Sequence, residues 1–223
     1  MRKLIIAALA SAILSGCSSS DSTPGTSDTN FIPGIYTGQF DNGTITDSYI
    51  ILVTSTDEWA GADPFDASTG LVTGDTITNS DGFSATLTSS NAGTYLSPPS
   101  ETGTFTLVDT GLYTRSSNLT KLTGTWVDNV YTDVTGTTTW TIQANGSFSM
   151  TSVSGCSATG NTGTLDTSKN EYTIIATVSN CGVFNGSYSG FGFTQDANTF
   201  SDNEFSFVID NADNFAVFSP VKQ

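Results

Sequence analysis

The chain contains no histidine. That absence removes the side chain that ordinarily titrates near neutral pH and the commonest transition-metal ligand. A Ser-His-Asp triad and a histidine-ligated zinc site are both excluded. Lys and Arg together number six against 21 Asp and Glu, for a net charge of −15. The shortage is uneven. Between Cys17 and Thr114 there are 12 acidic residues and not one Lys or Arg; beyond Thr114, nine acidic residues face only Arg115, Lys121, Lys169 and Lys222. Such a surface repels nucleic acid, because it cannot replace the counterions of phosphates. Its bland reading is solubility, and its functional reading is a cationic partner. Cysteine is scarce as well: three residues, with no Cys-x-x-Cys spacing. Helix formers are few, and no stretch after residue 17 carries a 3.6-residue apolar period.

No apolar run reaches the roughly 20 residues a bilayer-crossing helix requires. The longest, Leu4 to Leu14, is broken only by Ser11 and follows the basic Met1-Arg2-Lys3. A basic head before a short apolar stretch is a secretion signal, here residues 1–16. It ends in Leu14-Ser15-Gly16-Cys17, which resembles the lipobox of bacterial lipoproteins. Small residues let a peptidase approach the backbone, and the thiol accepts the diacylglycerol. The resemblance implies a mature chain that begins at Cys17 and is held to the membrane by N-terminal acyl chains, two or more of which bind firmly. Ser18 and Ser19 stand where an aspartate would favour inner-membrane retention, so the resemblance implies the outer membrane of the cell envelope. Residues 17–30 have no large apolar side chain. They read as a flexible tether with a reach of about 20 Å.

Period-2 alternation recurs through the rest of the chain and predicts an all-β exported protein. The body divides into two tandem antiparallel modules, 31–117 and 118–223. The first reads as a smaller sheet or partial barrel of five to seven strands, with candidates at 34–40, 48–54, 71–78, 83–88, 102–108 and 112–115 and a turn-rich stretch from Asp57 to Thr69. The second shows eight strand candidates: 122–127, 138–143, 147–153, 156–165, 171–179, 185–194, 204–210 and 214–220. Asn145-Gly146 is a strong hairpin turn, because both residues tolerate positive φ. Eight short strands with tight turns predict an up-and-down barrel of lipocalin or calycin type, which has no exposed edges. Its interior is either filled by side chains or holds one small ligand.

With Cys17 lipidated, Cys156 and Cys181 remain, and an even remainder in an exported protein predicts a disulfide. A hairpin turning about Ser168 and Lys169 sets Leu165 opposite Tyr172 and Cys156 opposite Cys181, within bonding range.

The runs Leu122-Thr-Gly-Thr-Trp126, Trp140 to Phe148, Ser154-Gly-Cys-Ser-Ala-Thr-Gly160, Tyr172 to Cys181 and Asn185-Gly-Ser-Tyr-Ser-Gly-Phe191 resemble the C-terminal module of a group of two-module bacterial envelope lipoproteins. Those share a GTW-type opening, a hairpin carrying Gly-Cys, a second cysteine and a GxYSG strand. At fold level the second module also resembles the barrels of surface lipoproteins of the transferrin-binding-protein type. That likeness implies architecture and no ligand.

No catalytic constellation is framed by a motif. Ser187 and Ser189 lie in a strand, not a strand-to-helix elbow. A carboxylate pair could hydrolyse a glycan, but none is marked by its surroundings. Calcium is the one metal the sequence raises, through the oxygen-rich stretches holding Asp196 and Asp202 and holding Asp210 and Asp213; Asp and Asn are also ordinary turn residues. Trp126 and Trp140 alternate with apolar neighbours and read as core. Trp59, among Asp57, Glu58 and Gly61, reads as exposed; core or loop packing is favoured over ligand stacking, and it is the one tryptophan kept as a ligand candidate. The expected protein is a non-enzymatic, membrane-anchored envelope lipoprotein with a binding or structural role, its partner unknown and an envelope or extracellular protein or a glycan among the candidates. The alternatives are a small-molecule carrier with its ligand in the C-terminal barrel and a carboxylate-pair glycan hydrolase.

Overall fold

A computed structural model describes residues 30–63, 66–128, 136–197 and 202–223. The expected signal segment, Cys17 and the expected tether through residue 29 lie outside the described residues. The body is all-β, as expected, and both modules are closed eight-stranded antiparallel barrels.

The first barrel runs in simple up-and-down order: β1 (Gly34–Asp41), β2 (Thr46–Val53), β3 (Glu58–Ala62), β4 (Ala67–Thr73), β5 (Thr76–Thr78), β6 (Ser84–Ser89), β7 (Ala92–Ser97) and β8 (Glu101–Asp109). Pairing of β1 with β8 closes it. The expectation of a partial barrel is thus corrected. The turn-rich stretch after Asp57 holds β3, the start of β4 and the hairpin between them. The stretch read as one strand, 71–78, is a hairpin turning at Gly74, where φ is +60°. Leu112–Thr114 is a 3₁₀ turn instead of a strand.

The second barrel follows a single helical turn, α1 (Leu119–Leu122), capped by the Asn118 side chain, which accepts from Thr120 N–H. Its strands are β9 (Gly124–Asp128), β10 (Thr138–Ile142), β11 (Ser147–Ser152), β12 (Ser157–Thr164), β13 (Tyr172–Ser179), β14 (Gly186–Gln195) and β15 (Glu204–Asp210), then β16 (Phe215–Phe218) and β17 (Val221–Lys222). The last two form one broken strand: β16 pairs with β15, and β17 reaches β9 to close the ring. The break falls at Pro220, which has no N–H to give a ladder.

Cys156 and Cys181 form the expected disulfide, with Cα atoms 4.7 Å apart. The expected register is off by one. Ser157 pairs with Ser179 and Thr164 with Tyr172. The loop from Leu165 to Glu171 is longer than a tight turn. The cysteines meet just past the strand ends, where Asn180 turns the chain with φ of +60°. A slip of one residue would have flipped every side chain. The observed register instead sends Tyr172, Ile174 and Ala176 into the core.

The barrels pack side by side. Ile35 and Leu52, on the outer faces of β1 and β2, meet Tyr113 and Phe193. Ala60 and Ala67 meet Val208. The inner faces of β1 to β3 are buried too, which explains the near-continuous apolar run Tyr49-Ile50-Ile51-Leu52-Val53. Polar contacts pin the joint. Asp210 accepts from the Thr69 backbone N–H at 3.0 Å and from its hydroxyl at 2.9 Å. Glu171, fully buried, accepts from Ser55 N–H at 2.9 Å, Ser55 Oγ at 2.5 Å and Tyr113 Oη at 3.0 Å. One carboxylate therefore ties the first barrel, the linker and the second barrel together.

Candidate functional site

The two lumens differ. In the second barrel, Trp140 meets Phe148, Phe207 and Phe218 at ring distances of 5.6, 5.1 and 4.8 Å. Phe205 bridges Phe207, Tyr172 and Trp126. These interlocked rings, with Met150 and Ile174, fill the interior in which the sequence left room for a ligand. The first barrel instead holds a cavity of about 520 Å³, a size typical of small-molecule sites.

The reason lies in how the first barrel disposes its aromatics. Tyr49 on β2 stands opposite Gly38 on β1. Its ring lies over that glycine, and its hydroxyl donates to Thr106 O on β8 at 2.5 Å. Trp59 on β3 repeats the arrangement: it stands opposite Gly70 on β4, and its Nε1–H donates to Thr78 O on β5 at 2.9 Å. Phe105 lies over Gly93 and Tyr95 over Gly103 in the same way. A Cβ at Gly70 would come within 1.9 Å of Thr78 O and 2.5 Å of Trp59 Nε1, so only glycine admits the ring there. The large rings are held along the wall, and the middle of the barrel stays open.

One end is shut. Phe31, where the described chain enters the barrel, stacks near Phe105 at 6.2 Å, and its N–H donates to Gly74 O at 2.9 Å. The cavity opens at the other end, among the β1–β2, β3–β4, β5–β6 and β7–β8 connections. Just below this mouth Phe40, Tyr49, Phe83, Tyr95 and Trp59 form a collar, with Phe40 4.4 Å from Tyr49 and 4.9 Å from Tyr95.

The rim is acidic. Strand alternation places Asp47 in the inward row of Tyr49 and Ile51, Asp63 in that of Trp59 and Gly61, and Glu101 in that of Gly103 and Phe105. Asp66 and Asp81 also line the opening, and among the described residues no Lys or Arg does. Glu101 accepts from Tyr95 Oη and Asn42 Nδ2, both at 3.0 Å. Burial, the bond to Glu101 and the charges of Glu101, Asp41 and Asp47 push the Tyr95 phenol up to about 12. Burial likewise raises Tyr49. Both collar phenols therefore stay neutral donors under ordinary conditions.

Trp59 was expected to be exposed; it is buried, at 5% exposure. The correction has a physical cause. Its polar sequence neighbours belong to the short β3 and its turns, and alternation turns the indole inward, where it becomes part of the cavity wall. Of the calcium candidates, Asp196 and Asp202 are brought together, but around cations of the chain itself. Arg115 lies 2.6 Å from Asp196 and 3.3 Å from Asp202, and Lys121 lies 2.9 Å from Asp202. The Arg115 bonds hold Asp196 below the usual carboxylate range. At Asp202 burial pushes upward, and the bonds from Lys121 and Thr194 outweigh it, leaving that carboxyl low as well. Asp210 is committed to Thr69 across the joint, while Asp213 sits in the β15–β16 turn, its N–H bonded to Asn211. Among the described residues no group of three or more His, Cys, Asp or Glu is placed to hold a metal ion. Glu204, raised by burial and by the nearby Asp128, lies on the second barrel and accepts from Gln195 at 2.8 Å. It does not face the cavity.

Comparison with protein-family models, with curated proteins and with solved structures finds no match. The site rests on its own geometry.

Proposed function

We propose that this protein is a non-enzymatic, lipid-anchored lipoprotein of the bacterial cell envelope that carries a small molecule inside its first barrel. The observation that carries the reading is the cavity of about 520 Å³ with one closed end and a wall of aromatic side chains. A folded interior is ordinarily packed to crystal-like density. An apolar space of this size next to a sister barrel that is filled is a binding site in form. The secretion signal, the lipobox at Cys17 and the disulfide all suit an exported chain. Ser18 and Ser19 favour the outer membrane. Phe31 lies at the closed end, and the mouth lies at the opposite end of the barrel.

Titration of the mature chain with the neutral fluorophore N-phenyl-naphthylamine tests this. One saturable site per chain is expected. Ala85→Trp, which puts an indole into the cavity from a position only 2% exposed, abolishes that site while the melting transition stays cooperative. Absence of binding to the parent protein, or unchanged binding to a folded Ala85→Trp variant, contradicts the carrier reading.

A further inference from the structure

We infer that the ligand is an organic cation: a protonated or quaternary amine at one end of an apolar body that fits among aromatic rings. This rests on the carrier reading and names its ligand class.

The cavity divides along its length. Its deep part, formed by Ile51, Ile77 and Leu107 above Phe31, offers no charge. An apolar body gains there by leaving water, at about 25 cal/mol per Å² of apolar surface. Above it stands the aromatic collar, whose ring faces attract a cation through their quadrupoles. At the top, three inward rows end on carboxylates, Asp47, Asp63 and Glu101. A cation drawn into the mouth passes from carboxylates to ring faces and meets favourable groups at both levels. An anion meets carboxylates with no counter-charge, because among the described residues no Lys or Arg lines the cavity and none occurs in the sequence between Cys17 and Arg115. A low-dielectric cup lined by one sign of charge focuses its field outward and raises the local concentration of the opposite charge.

A bare metal ion fits less well. The carboxylates are distributed around the rim on β2, the β3–β4 connection and β8, and no group of three is placed for coordination among the described residues. A metal ion would also leave the apolar depth empty. The amine end therefore lies at the mouth and the apolar end lies toward Phe31.

Three probes on one skeleton decide the matter: naphthylethylamine, naphthylethanol and naphthylacetate, titrated into the mature chain at low salt. The amine is expected to bind about tenfold tighter than the alcohol, and the carboxylate more weakly than either. Added salt narrows the gap between amine and alcohol. In the double variant Asp47→Asn, Glu101→Gln the ratio of amine to alcohol affinity falls toward one. Equal binding of amine and alcohol to the parent protein, or preference for the carboxylate, overturns the cation assignment and leaves the carrier reading standing. Failure of all three probes to bind overturns both.

Discussion

Replacing Glu171 separates the two things its carboxylate does, filling space and accepting bonds. In the folded protein it is fully buried and takes Ser55 N–H, Ser55 Oγ–H and Tyr113 Oη–H. In Glu171→Ala the Ser55 hydroxyl can turn elsewhere, but the Ser55 N–H and the Tyr113 hydroxyl are left without an acceptor. Each stranded donor costs about 1–3 kcal/mol, so the loss is about 4 kcal/mol. Glu171→Gln keeps the shape. Its amide oxygen accepts from Ser55 N–H and Tyr113, and its NH₂ donates to the Ser55 hydroxyl once that group rotates. Only the strength of charge-assisted bonds is lost, about 1 kcal/mol. For a chain of this size the two changes lower Tm by about 10 °C and about 3 °C. Urea unfolding followed by tryptophan fluorescence and by circular dichroism measures both. The parent protein should unfold in one transition seen alike by both probes. The alanine variant should unfold at lower denaturant, with the two probes no longer coincident as the barrels part. An alanine variant as stable as the glutamine variant would refute the idea that this carboxylate joins the barrels.

Further outcomes follow from the same geometry. Gly70→Ala forces the Trp59 indole off the wall and should cost about 1–3 kcal/mol, with a red-shifted tryptophan emission; an unshifted spectrum contradicts the tight ring-on-glycine contact. Reducing the Cys156–Cys181 bond, which closes a loop spanning 25 positions, should lower stability by about 3 kcal/mol, read as a lower Tm under reductant. At low pH, Asp196 and Asp202 have depressed folded values. Their contribution is fully present above the unfolded carboxylate value of 3.8 and is lost as pH falls below it. Arg115→Gln should flatten the acid limb of a Tm-versus-pH curve. At high pH, Tyr36 and Tyr95 have folded values raised to about 12. Their contribution is complete below about 10 and is lost as pH rises toward 12; their phenolate absorbance should appear only above the ordinary tyrosine value of 10.0 on alkaline titration.

The second barrel was legible because its strands alternate regularly and its turns carry strong residues. Asn145-Gly146 and the Asp210 to Asn214 turn both fall between strands as expected. The first barrel was less so. β3 is Glu-Trp-Ala-Gly-Ala and β5 only three residues long, and Ala, Gly and Glu carry little strand signal. They form strands because β2 and β4 hold them in a closed ring. β7 carries little strand signal for the same reason, since it opens Ala-Gly-Thr. Asn170 looks like turn chemistry and Glu171 like the first residue of a strand; only tertiary packing buries both at the joint. A tight turn at Ser168 and Lys169 would set the pairing one residue away; the chain instead makes a seven-residue loop, from Leu165 to Glu171. The cavity is hidden in the sequence because the barrel that holds it carries the weaker strand signal. Its rim was nonetheless written in the alternation Asp47-x-Tyr49-x-Ile51, Trp59-x-Gly61-x-Asp63 and Glu101-x-Gly103-x-Phe105, readable only once those segments are known to be strands of one barrel.

A crystal structure of the mature chain grown with naphthylethylamine tests the central claim most directly. The account predicts the naphthyl ring inside the first barrel, between Trp59 and Phe105 and pointing toward Phe31, with the ammonium at the level of Asp47, Asp63 and Glu101. A ring lodged in the second barrel, or an empty first barrel at saturating amine, would contradict it.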